Sequence, residues 1–145
     1  MNKIILALDT TNLEEAIAIT KKIKSKIFTI KLGLELWNAH GKGGVKKFNE
    51  IGITNLMLDI KMKDVGTTVY KAIKALDDIN FGFLTIHGQG GKVMIDEAKI
   101  VREIIGNDLL IFTPGIRLEN ETKNDQKRVC TPIESIKNGA DKIIM

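Results

Sequence analysis

Cysteine is nearly absent. Cys130 is the only one in 145 residues, so no internal disulfide can form, and the two histidines, His40 and His87, stand too far apart to suggest a zinc-type cluster. Proline occurs twice and aromatic residues make up 5% of the chain, which with 43% hydrophobic and 28% charged residues excludes fibrous and disordered classes. No apolar run approaches membrane length. The opening MNKIILALD has six apolar residues before Asp9 and no small-residue cleavage pattern, so it reads as a first strand rather than a signal peptide. A soluble protein in the reducing cytoplasm, with no membrane partner, is the expectation.

What the sequence does have is a surplus of positive charge, +4 with a pI near 9.1. The lysines are spread along amphipathic segments and are not gathered into one basic block with aromatics, which argues against nucleic acid and leaves a small anionic substrate open. Solvated helix faces would account for the same surplus. The length predicts one domain over residues 1–145.

Five apolar runs recur, each ending in a polar residue: KIILALD at Asp9, IFTIKLG at Lys31, NLMLDIK at Asp59 and Lys61, FGFLTIHG at His87 and DLLIFTPG at Thr113. A sixth, ADKIIM, closes the chain. The steps between these ends lie between 22 and 28 residues, enough for a strand, a helix and two loops. Between the runs the pattern is helical. Thr11 with Glu14 fits a capping box, followed by Leu13, Ala16, Ile17 and Ile23 on one face. Val65, Val69, Ala72, Ile73 and Leu76 form a buried stripe, and Met94, Ala98, Val101 and Ile105 form another within a helix from Val93 to Ile105. Near-continuous apolar strands are expected of a parallel sheet covered by helices. The fold class is therefore α/β, a (β/α) barrel of TIM type, with six units where a closed barrel has eight.

In such a repeat the carboxyl ends of the strands carry the chemistry, so the polar residues ending the runs should share one mouth. The stretch LDIKMKD, residues 58–64, would on its own be a solvated turn with incidental ion pairs. It does not stand alone. The pattern Asp59-x-Lys61-x-x-Asp64, with Asp9 and Lys31 ending the two preceding strands, resembles the orotidine 5′-phosphate decarboxylase family. Pro114-Gly115-Ile116-Arg117, then Asp125-Gln126, Arg128 and Thr131-Pro132, is similar to the phosphate-side loop of its bacterial members, and Thr85-Ile86-His87-Gly88 with Gly90-Gly91 and Met94 to its fourth strand and exit.

The resemblance implies a lyase that releases CO2 from orotidine 5′-phosphate in pyrimidine synthesis, with no metal or organic cofactor. It implies that Lys61 stabilises and protonates the carbanion at C6, that Asp59 sits near the departing carboxylate, and that Lys31 and Asp64 complete an alternating chain of charges. Asp9 would bind the ribose, and Arg117 and Gln126 the 5′-phosphate. Asp64 and Thr68 would reach the active site of a partner subunit, which makes the protein a homodimer.

The sequence departs from the family at two places. Gly106-Asn107-Asp108 directly joins segments that in the family are separated by two strand-helix units, including a serine-bearing loop that contacts the pyrimidine. The chain also stops at Met145, within the run matching the eighth strand and before a Gly-Arg segment that supplies a second phosphate ligand. Two other functions are compatible. One is a sister decarboxylase of phosphorylated keto-sugar acids, which would want magnesium. The other is a non-catalytic truncated barrel that binds a phosphate ligand or a partner.

Of the remaining features, His87 is expected to be a hydrogen-bonded structural histidine and Cys130 an ordinary loop thiol. Gly41-Lys42-Gly43-Gly44 lacks the spacing of a phosphate loop and reads as a turn between helical segments, and Gly88-Gln89-Gly90-Gly91 fails the dinucleotide fingerprint. Trp37 and the methionines read as packing groups.

Overall fold

A computed structural model describes residues 4–87, 90–105, 110–113, 132–137 and 142–143. Strands and helices alternate: β1 (Ile5–Leu8), α1 (Leu13–Ile23), β2 (Thr29–Gly33), α2 (Leu34–Glu50), β3 (Met57–Met62), α3 (Gly66–Lys74), β4 (Phe83–Ile86), α4 (Gly91–Ile105), β5 (Leu110–Thr113), α5 (Pro132–Lys137) and β6 (Lys142–Ile143). Each apolar run of the sequence forms one of these strands. The chain divides into two compact units, Met1–Ile60 with Asp78–Phe83, and Lys61–Asp77 with Leu84–Met145.

In the first unit β1, β2 and β3 pair in parallel. Leu8 lies opposite Leu32, and Gly33 opposite Asp59. This register sets Leu8 level with Leu32 and Leu58, with Asp9 following directly on Leu8, while β3 runs on beyond Asp59 to Met62. Ile30, Leu32, Leu36, Phe48, Leu56 and Leu58 are fully buried. Burying each such side chain contributes about 1.5–3 kcal/mol.

Helix α1 starts one residue later than the capping-box spacing suggests. Asn12 is the N-cap, its Oδ1 accepting from Glu15 N at 3.1 Å, and the Thr10 hydroxyl oxygen accepts from Asn12 N at 3.1 Å. Asparagine caps at least as well as threonine, and Thr10 fixes it in place. Ala16 and Thr20 are buried, and Thr20 Oγ1 donates to Ala16 O at 2.8 Å, so its hydroxyl is satisfied. Helix α2 consists of two helical segments joined at Gly41, where φ is 52° and ψ −143°, a conformation that glycine adopts without strain. The turn expected of Gly41–Gly44 is this kink.

The segment Asp78–Phe83 is fastened to the first unit by polar ties. Lys42 and Lys46 both donate to Asp78, at 2.7 and 2.8 Å. Asn49 Nδ2 donates to Asn80 O at 2.9 Å while Asn80 N donates to Asn49 Oδ1 at 3.0 Å. Gly82 N donates to Leu56 O at 2.9 Å.

In the second unit the carboxyl end of β3 is followed by β4, β5 and β6, with β5 and β6 parallel. All four residues of β4 are buried, and α3 packs on α4. Ile73, Leu84, Ile86, Met94 and Ile95 are fully buried. Two expectations about this unit need correction. Val65 does not join the buried stripe of α3: it is the extended N-cap and 66% exposed, because its carbonyl starts the helix by accepting from Thr68 N and Val69 N while its side chain stands outside. Val69, Ile73 and Leu76 are buried as expected. Helix α4 begins at Gly91 rather than Val93, which is 72% exposed, while Met94 and Ala98 are buried. The side chains of Val101 and Ile105 lie outside the described residues.

The paired lysines hold the Asp78 carboxyl at about 2, below its ordinary 3.8, chiefly through their hydrogen bonds. A carboxyl lowered on folding stabilises the protein above the unfolded value, and that contribution is lost as pH falls from about 3.8 through about 2. Asp78→Asn should therefore lower the thermal midpoint at neutral pH and low salt, with the difference shrinking at high salt and vanishing at the acid end of the range. Melting curves of both proteins across pH and salt provide the check.

Candidate functional site

At the end of the parallel β1–β2–β3 set, the side chain of Lys31 lies between two carboxylates. Its Nζ donates to Asp59 Oδ2 at 3.1 Å and stands 3.5 Å from Asp9 Oδ1. The side chains grade from buried to open, Asp59 being 10% exposed, Lys31 24% and Asp9 65%. An ionised carboxylate so far from water is tolerable only with a partner of opposite charge, and Lys31 supplies it. The Asp9 carboxylate is the most open of the three groups.

Gly33 makes room for this cluster. A Cβ there would lie 3.1 Å from Asp9 Oδ1 and 3.7 Å from Lys31 Nζ, too tight on the first of these to leave Asp9 where it is. The sequence reading did not single out Gly33. It carries no distinct signal in the sequence, because its place opposite Asp59 is set by strand register.

In the second unit Lys61 has φ 48°, the only positive φ at a non-glycine among the described residues. Its backbone N donates to Thr85 Oγ1 at 2.9 Å, and one residue on, Met62 O accepts from His87 N at 2.9 Å. Lys61 is exposed. Thr85 was recognised only as part of a resembling stretch. A hydroxyl within the otherwise apolar FLTI is the signal that it has a polar task.

Asp64 is exposed and its Oδ1 accepts from Val65 N at 2.7 Å. Thr68 is exposed in the first turn of α3. A cleft of about 620 Å³ is lined by Lys63, Asp64, Val65, Gly66, Gly90, Val93 and Met94. It takes in Asp64, while Lys61 and Thr68 are not part of its lining. Arg117 and Gln126, together with Pro114–Ile116, Asp125, Arg128, Cys130, Thr131 and the Gly106–Asp108 junction, lie outside the described residues. Among the described residues no group of three or more His, Cys, Asp or Glu is placed to hold a metal ion, and no helix is long and apolar enough to cross a membrane.

His87, half-buried at the end of β4, has its pKa lowered from 6.5, first by burial and then by the charges of Lys63 and Lys61. It is neutral at pH 7. A base whose folded pKa is depressed costs stability once pH falls below the unfolded value, because the unfolded chain then binds the proton more readily. Stability should decline as pH drops below about 6.5. Urea titrations at pH 7.5 and pH 5.5 should show that decline in the wild type and a smaller one in His87→Gln.

The model of the orotidine 5′-phosphate decarboxylase / HUMPS family matches residues 2–103. An orotidine 5′-phosphate decarboxylase of Wolbachia pipientis is 31% identical over 205 aligned positions, covering 100% of this chain and 90% of the relative. That of Ehrlichia canis is 31% identical over 204 positions, covering 99% and 89%. The one from Sphingopyxis alaskensis is 40% identical over 98 residues, covering 68% of this chain and 43% of its own. In the first of these the alignment runs to 205 positions against 145 residues here, so the relative carries residues within the matched span that have no counterpart in this chain. Among solved structures, an uncharacterized conserved protein from Geobacillus kaustophilus superposes with a TM-score of 0.74 at 20% identity, over 97% of this chain and 72% of its own. That likeness establishes the fold as part of a (β/α) barrel.

Proposed function

The chain belongs to the orotidine 5′-phosphate decarboxylase / HUMPS family, and from that premise we propose that it converts orotidine 5′-phosphate to uridine 5′-phosphate and CO2. The observation that carries the proposal is Lys31 held between Asp59 and Asp9 at the strand ends, with Lys61 two residues beyond Asp59 in a left-handed backbone conformation. Fixed ion pairs, and a lysine held in a costly backbone geometry, are what a charge-based catalyst needs and what a merely solvated turn does not.

Decarboxylation breaks the bond between C6 and the carboxylate carbon, leaving the electron pair on C6 with no neighbouring carbonyl to delocalise it. Fixed positive charge must stabilise that pair, and Lys61 is assigned this task and then gives its proton to C6. Asp59 faces the carboxylate that departs. Two unit charges about 4 Å apart at an effective dielectric near 20 interact by about 4 kcal/mol, which is useful where the repulsion is relieved as CO2 leaves. Lys31 keeps Asp59 ionised and in place. Asp9 takes the ribose hydroxyls, and Arg117 and Gln126 the 5′-phosphate, arginine being suited to two phosphate oxygens at once. Asp64 and Thr68, both exposed, are offered to a second copy of the chain in a cytoplasmic homodimer. The chemistry so described calls on no cofactor.

A second reading is favoured by one observation. Because relatives carry residues within the matched span that this chain lacks, the chain could retain the charged cluster and bind a nucleotide without turning it over. The test is the loss of orotidine 5′-phosphate absorbance with the purified, folded protein, beside its Lys61→Ala variant. Turnover that falls at least about a thousandfold in the variant, with the unfolding midpoint nearly unchanged at this exposed position, supports the decarboxylase. Equal activity in the variant contradicts it. A folded wild type with no turnover supports the binder, and activity abolished by EDTA supports the keto-sugar-phosphate group.

A further inference from the structure

We infer that Thr85 is a positioning residue for Lys61, its buried hydroxyl setting the direction in which the lysine leaves β3. The inference rests on the assignment of Lys61 as the proton donor above. Three observations within the second unit carry it. Thr85 is fully buried in a strand whose other residues are all apolar. Its Oγ1 accepts from Lys61 N at 2.9 Å. Lys61 is the only non-glycine among the described residues with positive φ.

In a regular parallel ladder the N–H of a strand residue bonds a neighbouring backbone carbonyl. Here a side-chain oxygen accepts from Lys61 N, and backbone pairing is found one residue later, where Met62 O accepts from His87 N at 2.9 Å. The Lys61 peptide is thus bracketed by two bonds to the β4 segment. Residues of a regular strand alternate between the two faces of the sheet. A left-handed residue escapes that alternation, so the Cα–Cβ direction of Lys61 follows from the bracket and not from the pleat. Left-handed geometry is unfavourable for a residue with a side chain and persists where the surroundings hold it. Proton delivery depends on placement to within about an ångström, so a bond that aims the lysine should appear in kcat more than in KM.

The experiment compares Thr85→Val, which keeps the shape and loses the acceptor, with Thr85→Ser, which keeps the acceptor. Thr20→Val removes an equally buried hydroxyl that bonds only within α1 in the contacts described above and serves as the stability control. The expected result is a kcat lowered roughly tenfold to a hundredfold in Thr85→Val with KM little changed, near wild-type kcat in Thr85→Ser, and unchanged kcat in Thr20→Val. Wild-type kcat in Thr85→Val, or equal losses in Thr85→Val and Thr85→Ser, would overturn the inference. If Thr85→Val does not fold, Thr85→Ala, which also lacks the acceptor, takes its place. If the folded wild type has no turnover, the decarboxylase reading fails on its own, and the inference is judged by the backbone chemical shifts and the amide-to-Hα coupling of Lys61. A left-handed signature lost in Thr85→Val and kept in Thr85→Ser supports it, and one unaltered in Thr85→Val overturns it.

Discussion

A carboxylate taken nearly out of water within β3 has to be met by a cation, and much of the first unit is arranged around that requirement. The Asp59 side chain is 10% exposed, and Lys31 reaches it from the neighbouring strand. The parallel register sets Gly33 opposite Asp59 and ends β1 at the same level, so Asp9 arrives on the far side of the same ammonium. A side chain at position 33 would crowd the Asp9 carboxylate. The fully buried leucines and isoleucines of β2 and β3 hold those strands where the ion pair needs them. A buried pair of this kind is weak evidence of added stability, because desolvation offsets much of the attraction. What the pair does confer is a fixed geometry for the charged groups at this end of the sheet.

The second unit solves a related problem by different means. There the charge is on an exposed lysine, and the backbone fixes it: a left-handed Lys61, bonded to the buried hydroxyl of Thr85 and followed by the Met62–His87 backbone bond. His87 contributes no charge of its own at neutral pH, since burial and the adjacent Lys63 and Lys61 disfavour its protonation. Among the described residues, His87 therefore adds nothing to the positive charge that Lys61 and Lys63 bring beside β4.

Much of this was legible in the sequence. The apolar runs mark every strand, because a parallel strand covered by helices is apolar throughout and leaves a strong signature. Of the polar residues that end them, Asp9, Lys31 and Asp59 are brought together by ion pairs, as expected where loops converge at strand ends. Local details were less legible. The N-cap of α1 falls on Asn12 and not Thr11, since adjacent capping residues compete and the sequence does not show which hydroxyl is already engaged. Val65 keeps a helical spacing yet stands exposed, and α4 begins two residues before Val93, because periodicity identifies a face but not where the helix begins. The roles of Gly33 and Thr85 depend on strand register, and register becomes visible only when the strands are paired.

The central claim is that the charged groups of this shortened chain still form a nucleotide site. Isothermal titration of the folded protein with uridine 5′-phosphate, repeated with Lys31→Ala, tests it without requiring turnover. Saturable binding with about one nucleotide per chain, weakened at least roughly tenfold in the variant that lacks the Lys31 ammonium, is the predicted result. A well-folded wild type that gives no heat of binding, or a variant that binds as tightly as the wild type, would contradict the account.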